Sequence, residues 1–170
     1  MEGNCEVSLI ARNCAWLSAI DGLQKMVTEV VSRTVTASDR VGSDSEVSVV
    51  LTGDSESRKL NGEHRGIHEA TNVLSFPIGD LEVNGSVAVL EGRPLILGDV
   101  VVAYETSVLE AEKKGKPLAD HLAHLLVHGV LHLCGYDHTE NGEAGTMEDL
   151  EICILRKLGI PDPYLPEDGV

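Results

Sequence analysis

His128-Gly129-Val130-Leu131-His132-Leu133-Cys134-Gly135-Tyr136-Asp137-His138 is the stretch on which the reading of the whole chain turns. His128 and His132 stand one helical turn apart in an apolar run, so a helix there sends both rings from one face toward a shared ion. Gly135 can end that helix in the left-handed conformation, and the reversal it permits can return His138 as a third imidazole. Three ring nitrogens leave a coordination position open, which separates catalytic zinc sites from closed structural ones. A lone histidine is ordinarily a core or surface residue, but three at this spacing, out of seven in the chain, point to a metal. Imidazole suits zinc, nickel, copper and iron, and one Zn2+ ion is the default.

The spacing also fits the metallopeptidase pattern H-E-x-x-H-x-x-G-x-x-H, with Gly129 where the peptidase carries its glutamate. That glutamate is the general base of peptide hydrolysis, and its absence argues against a metallopeptidase while leaving a metal helix of the zincin kind.

Working outward, 170 residues with 42% apolar and 24% charged content suit one domain, expected over residues 1–159, followed by a flexible tail at 160–170. Cys5, Cys14, Cys134 and Cys153 show no close pairing, and the opening Met-Glu-Gly-Asn lacks the basic and apolar parts of a signal peptide, so a cytoplasmic setting is expected. Cys134 is expected to be a buried filler. No apolar run approaches the roughly 20 residues of a membrane span. The formal net charge of -15 opposes any polyanion at long range, so a nucleic-acid partner needs a local patch. Arg58, Lys59, Arg65 and the run Lys113-Lys114-Gly115-Lys116 are the candidates.

Residues 5–11 alternate as a strand, and Trp16, Ile20, Leu23, Val27 and Val30 follow one helix from a cap at Asn13 to about residue 36. A loop over 38–45 leads to the strand Val47, Val49, Leu51, and Asp54 is expected to cap a short helix. An irregular segment, Asn61 to Thr71, precedes the strand 72–76, which Pro77 ends; residues 78–94 read as a loop or hairpin. Leu95 to Ala103 reads as a strand buried on both faces, and Tyr104 to Lys114 as a helix. Pro117 opens the next helix, where His121, His124, His128 and His132 form one stripe. His124 is expected to support the metal ligands and His121 to be a solvated end residue. Met147, Leu150, Ile154 and Leu158 define a last helix. The class is α+β, with a small mixed sheet covered by helices.

These residues give the chain its resemblance to the YbeY family of bacterial metal-dependent endoribonucleases. His128 to His138 matches the family's H-G-x-L-H-L-x-G-Y-D-H, with further matches at Leu60-Asn61, Arg65-Gly66, Thr71 to Pro77 and Leu97-Gly98-Asp99, and weakly at Leu155 to Gly159. The resemblance implies a zincin-like fold, zinc on His128, His132 and His138, and Arg65 as the basic residue needed for activity. It further implies cleavage of single-stranded RNA in maturation of the 3′ end of small-subunit ribosomal RNA and in ribosome quality control. The partners would then be RNA, the small ribosomal subunit and its assembly factors, with no DNA and no membrane. Asp137, next to a ligand, would serve a supporting role. Asn72 stands where the family usually has aspartate, His64 replaces a common aromatic residue, and Ala70 a proline. A non-catalytic ribosome-assembly factor, its metal merely tying Gly135 to His138 onto the helix, is the other alternative.

Overall fold

The computed structural model describes residues 4–41, 44–78, 94–137 and 143–165. Four strands, β1 (Cys5–Ala11), β2 (Ser45–Thr52), β3 (Val73–Pro77) and β4 (Leu95–Ala103), form a sheet in the order β1-β2-β4-β3. β1, β2 and β4 run parallel, and β3 lies antiparallel along the outer side of β4. The Val100-Val101-Val102 run of β4 fits its inner position, because side chains of both parities meet cover: Val100 and Val102 join the main core, Val101 a smaller cluster on the other face.

Six helices complete the described residues: α1 (Ala15–Ala19), α2 (Leu23–Ala37), α3 (Asp54–Arg65), α4 (Tyr104–Lys113), α5 (Leu118–Leu133) and α6 (Glu143–Lys157). α5 is apolar around most of its circumference and is correspondingly buried, touching α2, α4, α6, β3 and β4. α3 covers the opposite face beside Val50, Leu74 and Val101, with Leu60 and Phe76 at the rim. Cys134 and Met147 are core residues, and burial raises the Cys134 thiol to about 11. No described helix is long and apolar enough to cross a membrane.

Three local expectations change, the first being that α3 continues through Arg65 where an irregular segment is expected from Asn61. The single helix over 13–36 is two, because the chain turns at 20–22 while Trp16 and Leu23 both still reach the core. The Trp16 indole N–H anchors α1 by donating to the Thr52 carbonyl at 3.0 Å, and Asn13 Oδ1 accepts from the Ala15 N–H although Cys14 holds the cap position. Asp54 does not cap its own helix: Gly53 holds that position, and the Asp54 carboxylate accepts from the backbone N–H and hydroxyl of Thr106. In return Glu105 accepts from the Asp54 N–H, so the first turns of α3 and α4 satisfy one another's orphan donors. The proposed hairpin over 78–94 lies almost wholly outside the described residues.

Candidate active site

A cleft of about 890 Å³ opens where the histidine stripe of α5 meets β3 and the end of α3. His121, His124, His128 and His132 all line it, as do Arg65, Lys114 and Asp137. His138 lies outside the described residues.

At the C-terminal end of α5 the two motif imidazoles converge. His128 donates from Nδ1 to Glu151 Oε1 at 2.6 Å, and His132 donates from Nδ1 to the Tyr136 carbonyl at 3.0 Å. Both acceptors lack a proton to give, so each ring carries its hydrogen on Nδ1 and, when uncharged, turns a lone pair outward from Nε2. The two Nε2 atoms face each other at 3.1 Å. Tetrahedral bonds of 2.0–2.1 Å separate two nitrogen ligands by about 3.3 Å, so the pair fits a shared zinc-like cation. The turn that presents the Tyr136 carbonyl depends on Gly135, whose φ of 93° is costly for any residue with a Cβ.

Glu151, on α6, was not picked out from sequence. It is 1% exposed and accepts from His128, from His124 Nε2 at 3.2 Å and from the Tyr164 hydroxyl. Burial alone would raise its pKa, but the donors His124, His128 and Tyr164 outweigh burial and bring it down to about 2. Burial and the same carboxylate push the Tyr164 phenol above its ordinary range, which keeps it a donor. A detectable signal existed: residue 151 falls within the apolar stripe of Met147, Ile154 and Leu158, where a glutamate needs a partner. Tyr164 belongs to the segment expected as a tail; within that segment Ile160 packs on the core and the Lys116 ammonium donates to the Pro163 carbonyl at 3.3 Å.

His121 overturns its expectation. It is 2% exposed rather than solvated, and its Nε2 donates to Glu110 Oε2 at 2.7 Å. Burial lowers its pKa despite that carboxylate. Arg65 is the last residue of α3, exposed, and lines the same cleft.

The family model for endoribonuclease YbeY matches residues 14–159. The chain belongs to the YbeY family. A Rhodopseudomonas palustris (strain BisB5) protein called endoribonuclease YbeY is 44% identical over 162 residues, 95% of this chain and 82% of that one. Its Paramagnetospirillum magneticum namesake is 45% identical over 150 residues, 88% of this chain and 90% of that one. A solution structure of a Thermotoga maritima protein shares the fold at TM-score 0.50 and 20% identity, covering 94% of this chain and 99% of that one.

Two departures from the expected patterns have structural explanations. Asn72, where the resemblance leads to an expectation of aspartate, donates from Nδ2 to both Glu110 oxygens at 3.1 and 3.0 Å, a pairing a second carboxylate would oppose. Gly129 takes the place of the peptidase glutamate against the sheet: a Cβ there would lie 2.8 Å from Val100 Cγ1 and 3.1 Å from Ser75 Oγ. A side chain at this position would have to displace the Val100 and Ser75 side chains.

Proposed function

We propose that this chain is a zinc-dependent, single-strand-specific endoribonuclease of zincin-like fold, with α5 as its metal-binding helix. His128, His132 and His138 would hold the ion. The observation that carries this reading is the opposed His128 and His132 Nε2 pair, each ring already fixed through Nδ1. A bound ion supplies Lewis acidity toward a phosphodiester. Glu151 and the Tyr136 carbonyl hold the two rings in the required tautomer and orientation. Arg65, facing the same cleft, donates to the non-bridging oxygens as they gain charge. Asp137 lies exposed at the cleft and helps to orient the ligand set, and Lys114 adds positive charge to a molecule of net charge -15.

The substrate is RNA, specifically the 3′ end of small-subunit ribosomal RNA and defective ribosomes, with the small subunit as the docking partner in the cytoplasm. Support comes from membership in a family whose relatives are called endoribonucleases. The test is metal analysis of nuclease-free protein with RNA cleavage by wild type, His128→Ala and Arg65→Ala. We expect about one zinc per chain in wild type and in Arg65→Ala, and loss of most cleavage in both variants, by at least about a hundredfold. Cleavage that survives either substitution, or metal retained in His128→Ala, rejects the assignment. Peptide cleavage in place of RNA cleavage would favour the metallopeptidase, and intact RNA processing with Arg65→Ala the assembly factor.

A further inference from the structure

We propose that His64 and Phe76 form a nucleobase-stacking subsite on the α3 side of the cleft, a proposal that rests on the RNA reading above. β3 is the terminal strand of the sheet among the described residues, and its side chains alternate between the faces. Ser75 faces α5, where its hydroxyl donates to the Gly129 carbonyl at 2.9 Å. Phe76 therefore faces the other side, at the rim of the small cluster under α3. There its ring meets the exposed His64 ring, centroids 4.8 Å apart and planes inclined at 58°. Both rings line the same cleft as His128 and His132, so the cleft passes around β3 from the metal-ligand pair to this platform.

Aromatic residues are scarce, which makes their placement informative. The chain has one Trp, three Tyr and one Phe. Trp16 and Tyr104 pack edge to face around the core, and the cleft receives the other three. Tyr136 is buried under the Arg40 guanidinium at 3.9 Å, and the Tyr164 hydroxyl is committed to Glu151. Phe76 has no polar group, remains partly exposed, and has as its ring neighbour a residue adjacent to Arg65.

An aromatic face beside a guanidinium matches a nucleotide: the base stacks, and its phosphate meets the cation. A base lying flat on Phe76 would meet His64 at an incline, and stacking of this kind tolerates any base while requiring an unpaired one. Such a subsite supplies what the net charge withholds, an attraction to single strands that salt does not screen.

The test uses the full chain with a chelator present and a short single-stranded oligoribonucleotide, substituted position by position with the fluorescent base 2-aminopurine. Wild type should quench that base strongly at one position. Phe76→Leu should lose the quenching and weaken binding about tenfold, His64→Ala should weaken it less, and Phe76→Tyr should restore both. An abasic nucleotide at the quenched position should weaken wild type by the same factor and Phe76→Leu no further. Circular dichroism and thermal unfolding establish that each variant is folded. Equal binding by folded Phe76→Leu, or independent losses from the abasic nucleotide and the substitution, overturns the subsite alone. If wild type binds no oligoribonucleotide under these conditions, the subsite falls; if it also cleaves none with metal restored, the RNA reading falls with it.

Discussion

The two ends of α5 use the same side chain in opposite ways. Near its start, His121 points Nε2 at Glu110 and is almost wholly buried at the edge of the cleft. Near its end, His128 spends Nδ1 on Glu151 and turns Nε2 toward His132. Each imidazole is fixed by a carboxylate from another helix, α4 in one case and α6 in the other. What differs is which nitrogen the carboxylate takes. Committing Nδ1 directs the ring's remaining lone pair at the cleft, whereas committing Nε2 makes the ring part of the scaffold. A histidine's role thus follows from its partner's position more than from its own place in the stripe.

The strongest way to break this comparison is Glu151→Gln. It removes the buried carboxylate that His128 and His124 share, and should lower zinc affinity by about 10- to 100-fold in a competition titration with a coloured chelator. Unchanged affinity would mean that His128 needs no fixing. At the other end, His121→Leu should leave zinc content at wild-type level while costing about 1–3 kcal/mol of stability in denaturant unfolding, because Glu110 loses a donor.

Acid sharpens the same contrast. The folded pKa of His121 lies below the ordinary 6.5, so on acidification the unfolded chain takes up that proton first. The stability His121 confers is therefore complete above about pH 6.5 and drains as pH falls toward the lowered value. His121→Leu should flatten this part of the stability profile. Tyr164→Phe is the mildest test: losing one hydrogen bond to Glu151 should cost about 1 kcal/mol and a few-fold in zinc affinity, far less than Glu151→Gln. An effect of equal size would move the centre of the support from the carboxylate to the phenol.

Much of this was legible from periodicity. The α5 pattern located a buried helix with two histidines on one face, and the valine run of β4 located a strand covered on both sides. Asn72 and Arg65 were marked by resemblance, and the structure places both at the cleft. His121 was misjudged because its partner Glu110 sits on the preceding helix, across the turn at Gly115 and Pro117, and no local pattern couples them. Glu151 escaped because a search for apolar spacing passes over a charged residue even when it occupies an apolar position. Tyr164 sits among prolines and acids, a composition that gives no sign of a contact made by a single hydroxyl.

The close seat of α5 on the sheet also limits what protein engineers could make of this scaffold. Installing the peptidase's glutamate at position 129 would drive a side chain into Val100 and Val73 together, the latter 3.3 Å from the added carbon. Conversion to peptide hydrolysis thus calls for smaller side chains at Val100 and Val73 together with the change at position 129.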